Sequence, residues 1–176
     1  MSEKKEKLII LGHSGSGKDY LRKELVKMGL KYSPKFTTRP IRNQEVQGED
    51  YNFIDFNLYA NLYERKEIKT SQAFIINNVN WYYGITKENW DNNQLFIMTT
   101  EELKQLSDEE RKGCFVVYLN IEKDLRKQRL LERADYNDSI IRRMEADEKD
   151  FQEFTNYDLC ITDPEFECDM VYDLMY

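Results

Sequence analysis

Two short stretches hold residue types that grip phosphate. In GHSGSGKD, Gly12 to Asp19, four residues separate two glycines and a lysine follows, which is the G-x-x-x-x-G-K spacing of a phosphate-cradling loop. Backbone N–H groups across Gly12, Ser14, Gly15, Ser16 and Gly17 turn inward in such a loop, and the helix start behind it adds positive potential, so a triphosphate fits there. Lys18 reaches the outer phosphates as a point charge. Asp19 departs from the pattern, standing where a hydroxyl would face Mg²⁺. His13, the only histidine, fills a variable loop position and is given no catalytic role.

The second stretch is FTTRPIRNQEVQGEDYNF, Phe36 to Phe53. Arg39 and Arg42 flank Pro40 and Ile41, with Pro34 upstream, on a loop unsuited to a helix. Two guanidinium forks match the three acceptor oxygens of a phosphate monoester, and Tyr51 with Tyr82 or Tyr83 would add neutral donors. A solvated basic loop facing Glu45, Glu49 and Asp50 accounts for the same residues, and the residues alone do not choose. Further on, Arg129 and Arg133 are four apart and share one helical face, with Arg143 following. Ion pairing with Glu132, Glu145 and Asp147 is the rival account of these arginines.

These groups need a scaffold. Lys7–Leu11 is a short apolar run ending at Gly12, as a buried parallel strand requires, and Leu21, Leu25 and Met28 fall at helical spacing before Gly29. Strand, glycine loop and helix is the context that the loop needs. Residues 35–86 break the alternation with the aromatic or β-branched stretches 51–54, 73–76 and 79–83, which predict a small antiparallel sheet and a short helix over 57–67. Strands at 95–98, 115–119 and 157–161 then alternate with helical segments at 101–112, 122–132, 139–154 and 165–174. The expected fold is α/β: a P-loop-type parallel sheet flanked by helices, with 35–86 inserted as a separate lobe.

The chain has 176 residues and a net charge of −7, which fits one domain and argues against nucleic-acid or membrane-surface binding, so any basic site must be local. No apolar run is long enough for a signal peptide or a membrane span. Cys114, Cys160 and Cys168 have no metal-ligand spacing and are expected as reduced packing residues of a cytoplasmic protein.

The run TTRPIRNQEVQGEDYNF resembles the guanylate kinase family, in which a TTRxPRxGExxGxDYxF stretch opens the monophosphate-binding lobe. Trp81-Tyr82-Tyr83-Gly84 is similar to that family's YYG segment. Arg129-Leu130-Leu131-Glu132-Arg133 with Asp138 to Met144 resembles its lid and the helix after it, and Tyr157 to Asp163 its closing segment. The resemblance implies one domain with a core of 7–34 and 87–176, a nucleoside-monophosphate lobe at about 35–86 and a lid at about 129–143. It implies that ATP with Mg²⁺ is the donor and GMP or dGMP the acceptor. Arg39, Arg42, Tyr51 and Tyr83 would hold the acceptor phosphate. Arg129 would join the loop in ATP binding, and Arg133 and Arg143 with Lys18 would be catalytic. Cations carried on a closing lid compensate charge at the transferring phosphoryl group and exclude water.

The sequence departs from the family where the base is read. Family members place a Glu before YYG, a Ser or Thr after its Gly and an Asp after the next strand. This chain offers Ile76 or Asn77, then Ile85 with Thr86 beyond it, and Thr100. A carboxylate takes both guanine donors together, and losing one partner of a buried contact costs roughly 1–3 kcal/mol, so a different base preference is one alternative. A binding module for phosphorylated or acidic partners, without catalysis, is another. Asp19 is expected to supply metal-binding charge missing from the strand before Thr100. A monomer or a homodimer is expected.

Overall fold

The computed structural model describes residues 5–133 and 140–176. At its centre is a four-stranded parallel sheet of β1 (Lys7–Gly12), β6 (Leu95–Ile97), β7 (Cys114–Leu119) and β8 (Leu159–Ile161), in the order β6-β1-β7-β8. β1 is flanked on both edges, Ile9 lying opposite Phe96 on one side and Val116 on the other. Its side chains alternate between two apolar clusters, so the run has to be apolar throughout. Leu8 and Ile10 join Leu21, Leu25, Val171 and Met175, while Ile9 and Leu11 join Trp90, Phe96, Leu103 and Leu106.

Helices cover both faces. α1 (Lys18–Lys27) buries Leu21 and Leu25 and stops as Gly29 N–H turns back to Val26 O. On the first face α8 (Cys168–Met175) buries Val171 and Met175, and α6 (Lys123–Glu132) and α7 (Ile140–Phe151) follow β7 in sequence. α3 (Lys87–Asn92), α4 (Thr100–Leu103) and α5 (Asp108–Lys112) precede β7 in sequence, α4 and α5 each opened by a capping box. The three cysteines are free thiols. Among the described residues no helix is long and apolar enough to cross a membrane.

The inserted lobe holds β2 (Phe36–Thr37), β3 (Asn52–Phe53), α2 (Phe56–Glu64), β4 (Ile68–Ile76) and β5 (Val79–Thr86), in the sheet order β3-β2-β5-β4. The sheet is mixed rather than antiparallel, because β2 and β3 run parallel, with Phe36 opposite Asn52. Each of these strands is two residues long, so no alternation pattern reveals the direction in which the connecting loop delivers the second. β4 and β5 form an antiparallel hairpin whose loop residues, Asn77 and Asn78, have φ of 53° and 62°. Two consecutive positive φ values mark a type I′ turn, for which asparagine is well suited.

Gly84 fixes the lobe at its most crowded point. A Cβ there would stand 2.2 Å from Thr70 O and 2.7 Å from Phe36 Cζ, and backbone cannot yield as a flexible side chain can. Gly84→Ala is expected to lower unfolding free energy by about 2–3 kcal/mol, read by denaturant titration, with amide protection along β4 and β5 lost first.

Candidate active site

The loop between β1 and α1 is shaped by its glycines and by α6. Gly15 has φ 78°, and a Cβ on it would meet Arg126 O at 2.8 Å, so α6 backs directly onto the loop. Gly17, also left-handed at φ 98°, launches α1. Lys18 Nζ donates to Gly12 O at 2.6 Å and His13 O at 2.9 Å, so the ammonium is folded over the mouth of its own loop. Burial pushes its pKa down to about 8, against the pull of Asp147 and Asp19, while Lys35 and Arg143 push the same way as burial.

Around this loop the sequence-selected residues largely assemble. Arg129 Nη1 donates to Gly15 O at 3.1 Å, and Arg143 on α7 lies within electrostatic reach of Lys18. Arg133 follows α6 as its C-terminal cap and is exposed. The central part of the expected lid, residues 134–139, lies outside the described residues. Ser14 N–H donates to Asp147 Oδ2 at 2.6 Å. Ser16 Oγ and His13 Nδ1 are buried with no hydrogen-bond partner among the described residues. The His13 ring packs 4.5 Å from Phe151, and burial, with Arg126 nearby, depresses its pKa to about 4, so it is a neutral packing group at pH 7.

Asp19 is exposed in the first turn of α1 and pairs loosely with Arg22 at 3.4 Å. It faces a cleft of about 300 Å³ bounded across from it by Gly48, Glu49 and Asp50 of the lobe. Among the described residues no group of three His, Cys, Asp or Glu side chains encloses a metal. One carboxylate opening onto water still suits Mg²⁺, which usually keeps several waters and takes its other oxygens from substrate phosphates.

The acceptor side forms on the lobe. Arg39 is buried at 7% exposure, Nη1 and Nη2 donating to Glu45 at 2.9 and 2.7 Å and Nε to the Tyr83 hydroxyl at 3.2 Å. Burial opposes its charge, but Glu45 and Tyr83 outweigh burial and hold the pKa above the ordinary arginine value. Tyr51 meets Tyr83 edge-on at 5.6 Å and lies 5.6 Å from the Arg39 guanidinium. Burial raises its pKa, leaving a neutral hydroxyl. Arg42 is half-buried, and its N–H donates to the Glu45 carboxylate that grips Arg39. Arg39, Tyr51 and Tyr83 are therefore one assembly with Glu45 as its counter-ion, and Arg42 joins it through its backbone N–H.

The expected base-reading residues fare differently. Asn77 sits at the hairpin tip, five residues beyond Gln72, the partner of Tyr83, or about 16 Å along the strand. Turn geometry accounts for it, and it is removed from the site. Ile76 is one residue short of the same tip. Ile85 is 1% exposed and belongs to the core cluster with Trp90, and Thr86 caps α3. Thr100 is buried in the first turn of α4.

Two residues that the sequence reading passed over stand beside Tyr83 instead. Lys35 Nζ donates to Glu102 Oε2 at 2.8 Å, and Glu102 is completely buried. Glu102 also accepts from Thr99 N–H at 2.9 Å, and the Thr70 hydroxyl is 3.4 Å away. Burial opposes the charge on Lys35, but Glu102, Tyr51 and Tyr83 raise its pKa. The T-x-x-E spacing from Thr99 to Glu102 is a capping-box signal, whereas nothing local marks Lys35.

Comparison with known proteins agrees with this geometry. The guanylate kinase family model matches residues 4–174. A guanylate kinase of Trichormus variabilis is 31% identical over 172 residues, covering 92% of this chain and 84% of its own. One of Nitrobacter winogradskyi is 29% identical over 164 residues, covering 87% and 73%. The crystal structure of guanylate kinase from Anaplasma phagocytophilum superposes with a TM-score of 0.67 at 18% identity, covering 98% of this chain and 86% of that one, a likeness of fold. With a family model matching nearly its whole length and a relative 31% identical over most of both chains, the chain belongs to the guanylate kinase family.

Proposed function

We propose that this protein is an ATP-dependent nucleoside monophosphate kinase whose acceptor is GMP or dGMP. The observation that carries the reading is the nearness of two groups suited to anions, the glycine loop closed by Lys18 and the arginine–tyrosine assembly around Arg39: Lys35, which feels Tyr51 and Tyr83, acts on Lys18, and Tyr51 feels both Arg39 and Asp19. ATP lies in the loop, its tail against the loop N–H groups, with Arg129 over Gly15. The acceptor phosphate lies against Arg39, Arg42, Tyr51 and Tyr83. One of its oxygens attacks the γ-phosphorus in line as the bond to the β-bridging oxygen breaks, giving the diphosphate and ADP. Lys18, Arg143 and Arg133 compensate charge as it spreads over the transferring group. Asp19 would hold Mg²⁺, which supplies further charge neutralisation at the donor phosphates.

A second reading, a kinase with a different or broader base preference, is favoured by one observation. Glu102 is the buried carboxylate beside this wall, and it already accepts from Lys35 and the Thr99 N–H. The two donors on a guanine edge would meet an acceptor largely in use.

Incubation with ATP and Mg²⁺ and each common ribo- and deoxynucleoside monophosphate, followed by ADP formation, tests both. Fastest turnover with GMP or dGMP is expected. Comparable turnover with several bases selects the second reading, and no turnover with any acceptor defeats both. Arg42→Ala is expected to raise the acceptor KM by roughly tenfold or more with the ATP KM unchanged. The lysine supplies a pH dependence. With its pKa about 8 in the free protein, the ammonium is mostly charged at pH 7 and mostly neutral at pH 9. Loss of the proton removes a cation from the donor site, so the Kd for ATP should rise as pH passes 8, and calorimetric titrations at pH 7 and 9 check it.

A further inference from the structure

The Ser14–Asp147 hydrogen bond joins residues 133 apart in sequence. One partner is an amide of a loop whose N–H groups are arranged for anions, and the other is a carboxylate on α7. Asp147 is also the foremost opposite charge acting on Lys18. It acts on Arg126 as well, which is 3% exposed with Nη1 unpartnered among the described residues. One helical turn before Asp147, on the same face of α7, is Arg143, which acts on Lys18 with the opposite sign. The helix thus presents a carboxylate and a guanidinium side by side to one loop. A donor tail has the opposite preference for the two: it repels Asp147 and attracts Arg143.

We propose that Asp147 is the resident anion of the phosphate loop, holding the Ser14 amide while the donor site is empty and leaving when a polyphosphate arrives, so that α7 exchanges its carboxylate contact for an arginine contact. This rests on the loop being the donor site. The consequence is a donor affinity set below the loop's intrinsic value, because the competent state is only part of the unliganded population. It also ties the position of α7 to occupancy of the loop.

The test is calorimetric titration of the full chain, wild type and Asp147→Asn, with ATP and with inorganic tripolyphosphate, which carries no base or sugar. Asp147→Asn is expected to bind both about tenfold more tightly, because the amide oxygen still reaches Ser14 without the charge. Asp147→Glu, which keeps the charge, should stay near wild type. A readout needing no variant is hydrogen exchange of wild type with saturating tripolyphosphate, in which amides of 144–151 should exchange faster. If wild type binds the anions and Asp147→Asn binds them equally or more weakly, or if 144–151 is unmoved, the latch is wrong and the donor-loop reading stands. If no form binds either anion, both fall.

Discussion

A cation taken out of water must be met by an acceptor, and this constraint organises the candidate site. The chain carries a net charge of −7, yet the proposed function needs concentrated positive charge in a cleft. Lys18 is folded onto two loop carbonyls, Arg39 is forked onto Glu45, Lys35 is tied to Glu102 and Arg129 rests on Gly15 O. Removing one member of a buried ion pair costs about 3–5 kcal/mol, because the remaining charge stays desolvated. These internal acceptors keep the site assembled before any ligand arrives. They also set what a ligand must overcome: a phosphate gains only the difference between itself and the acceptor it displaces. Glu45 stays with Arg39 and orients it through two parallel contacts, whereas the carbonyls under Lys18 are neutral and hold it less firmly than a phosphate would.

The junction between lobe and core follows the same logic in polar form. β4 meets the core through Ser71 and Gln105, which exchange two hydrogen bonds at 3.0 and 2.8 Å, through Gln72 and the Thr99 hydroxyl at 2.7 Å, and through a Lys69–Glu110 ion pair. The two apolar clusters lie on the faces of the parallel sheet, and Ile85 of β5 carries the lobe into one of them. A junction made of directional polar contacts breaks and re-forms at small net cost, while apolar packing resists sliding. Lys35–Glu102 is the exception, since both side chains are withdrawn from water. It anchors the start of β2 to α4.

What the sequence made legible were features with local causes. The strand at Lys7–Leu11, the glycine loop, the helix after it and the later α/β alternation each rest on spacing that one segment contains. Arg39, Arg42, Tyr51 and Tyr83 were legible as types, but their union depends on Thr37 and Thr38 pairing with β5, and on Glu45 turning back, which are tertiary facts. Asn77 is suggested only by its position in the family resemblance, whereas its identity answers a backbone with positive φ. Ile85 was considered for the same wall, yet its side chain points into the core with Trp90. Lys35 and Glu102 escaped notice because their pairing spans 67 residues.

On the proposed function, the donor and acceptor sides are coupled through charge as well as through the fold. Lys35 on the acceptor wall and Arg143 on α7 both lower the pKa of Lys18, and Asp147 and Asp19 oppose them. Lys18 therefore senses cations from both sides of the cleft and anions from α7 and α1. A phosphate placed among them relieves repulsion between groups that the protein itself cannot separate. Each bound anion raises the proton affinity of Lys18 and so strengthens the hold on the next, because a lysine with a pKa of about 8 is not fully charged in the free protein near that pH. Burial is the first cause of the depressed lysine, with Lys35 and Arg143 adding to it, and on the proposed function that lysine makes binding on the two sides mutually supportive without requiring any contact between the substrates.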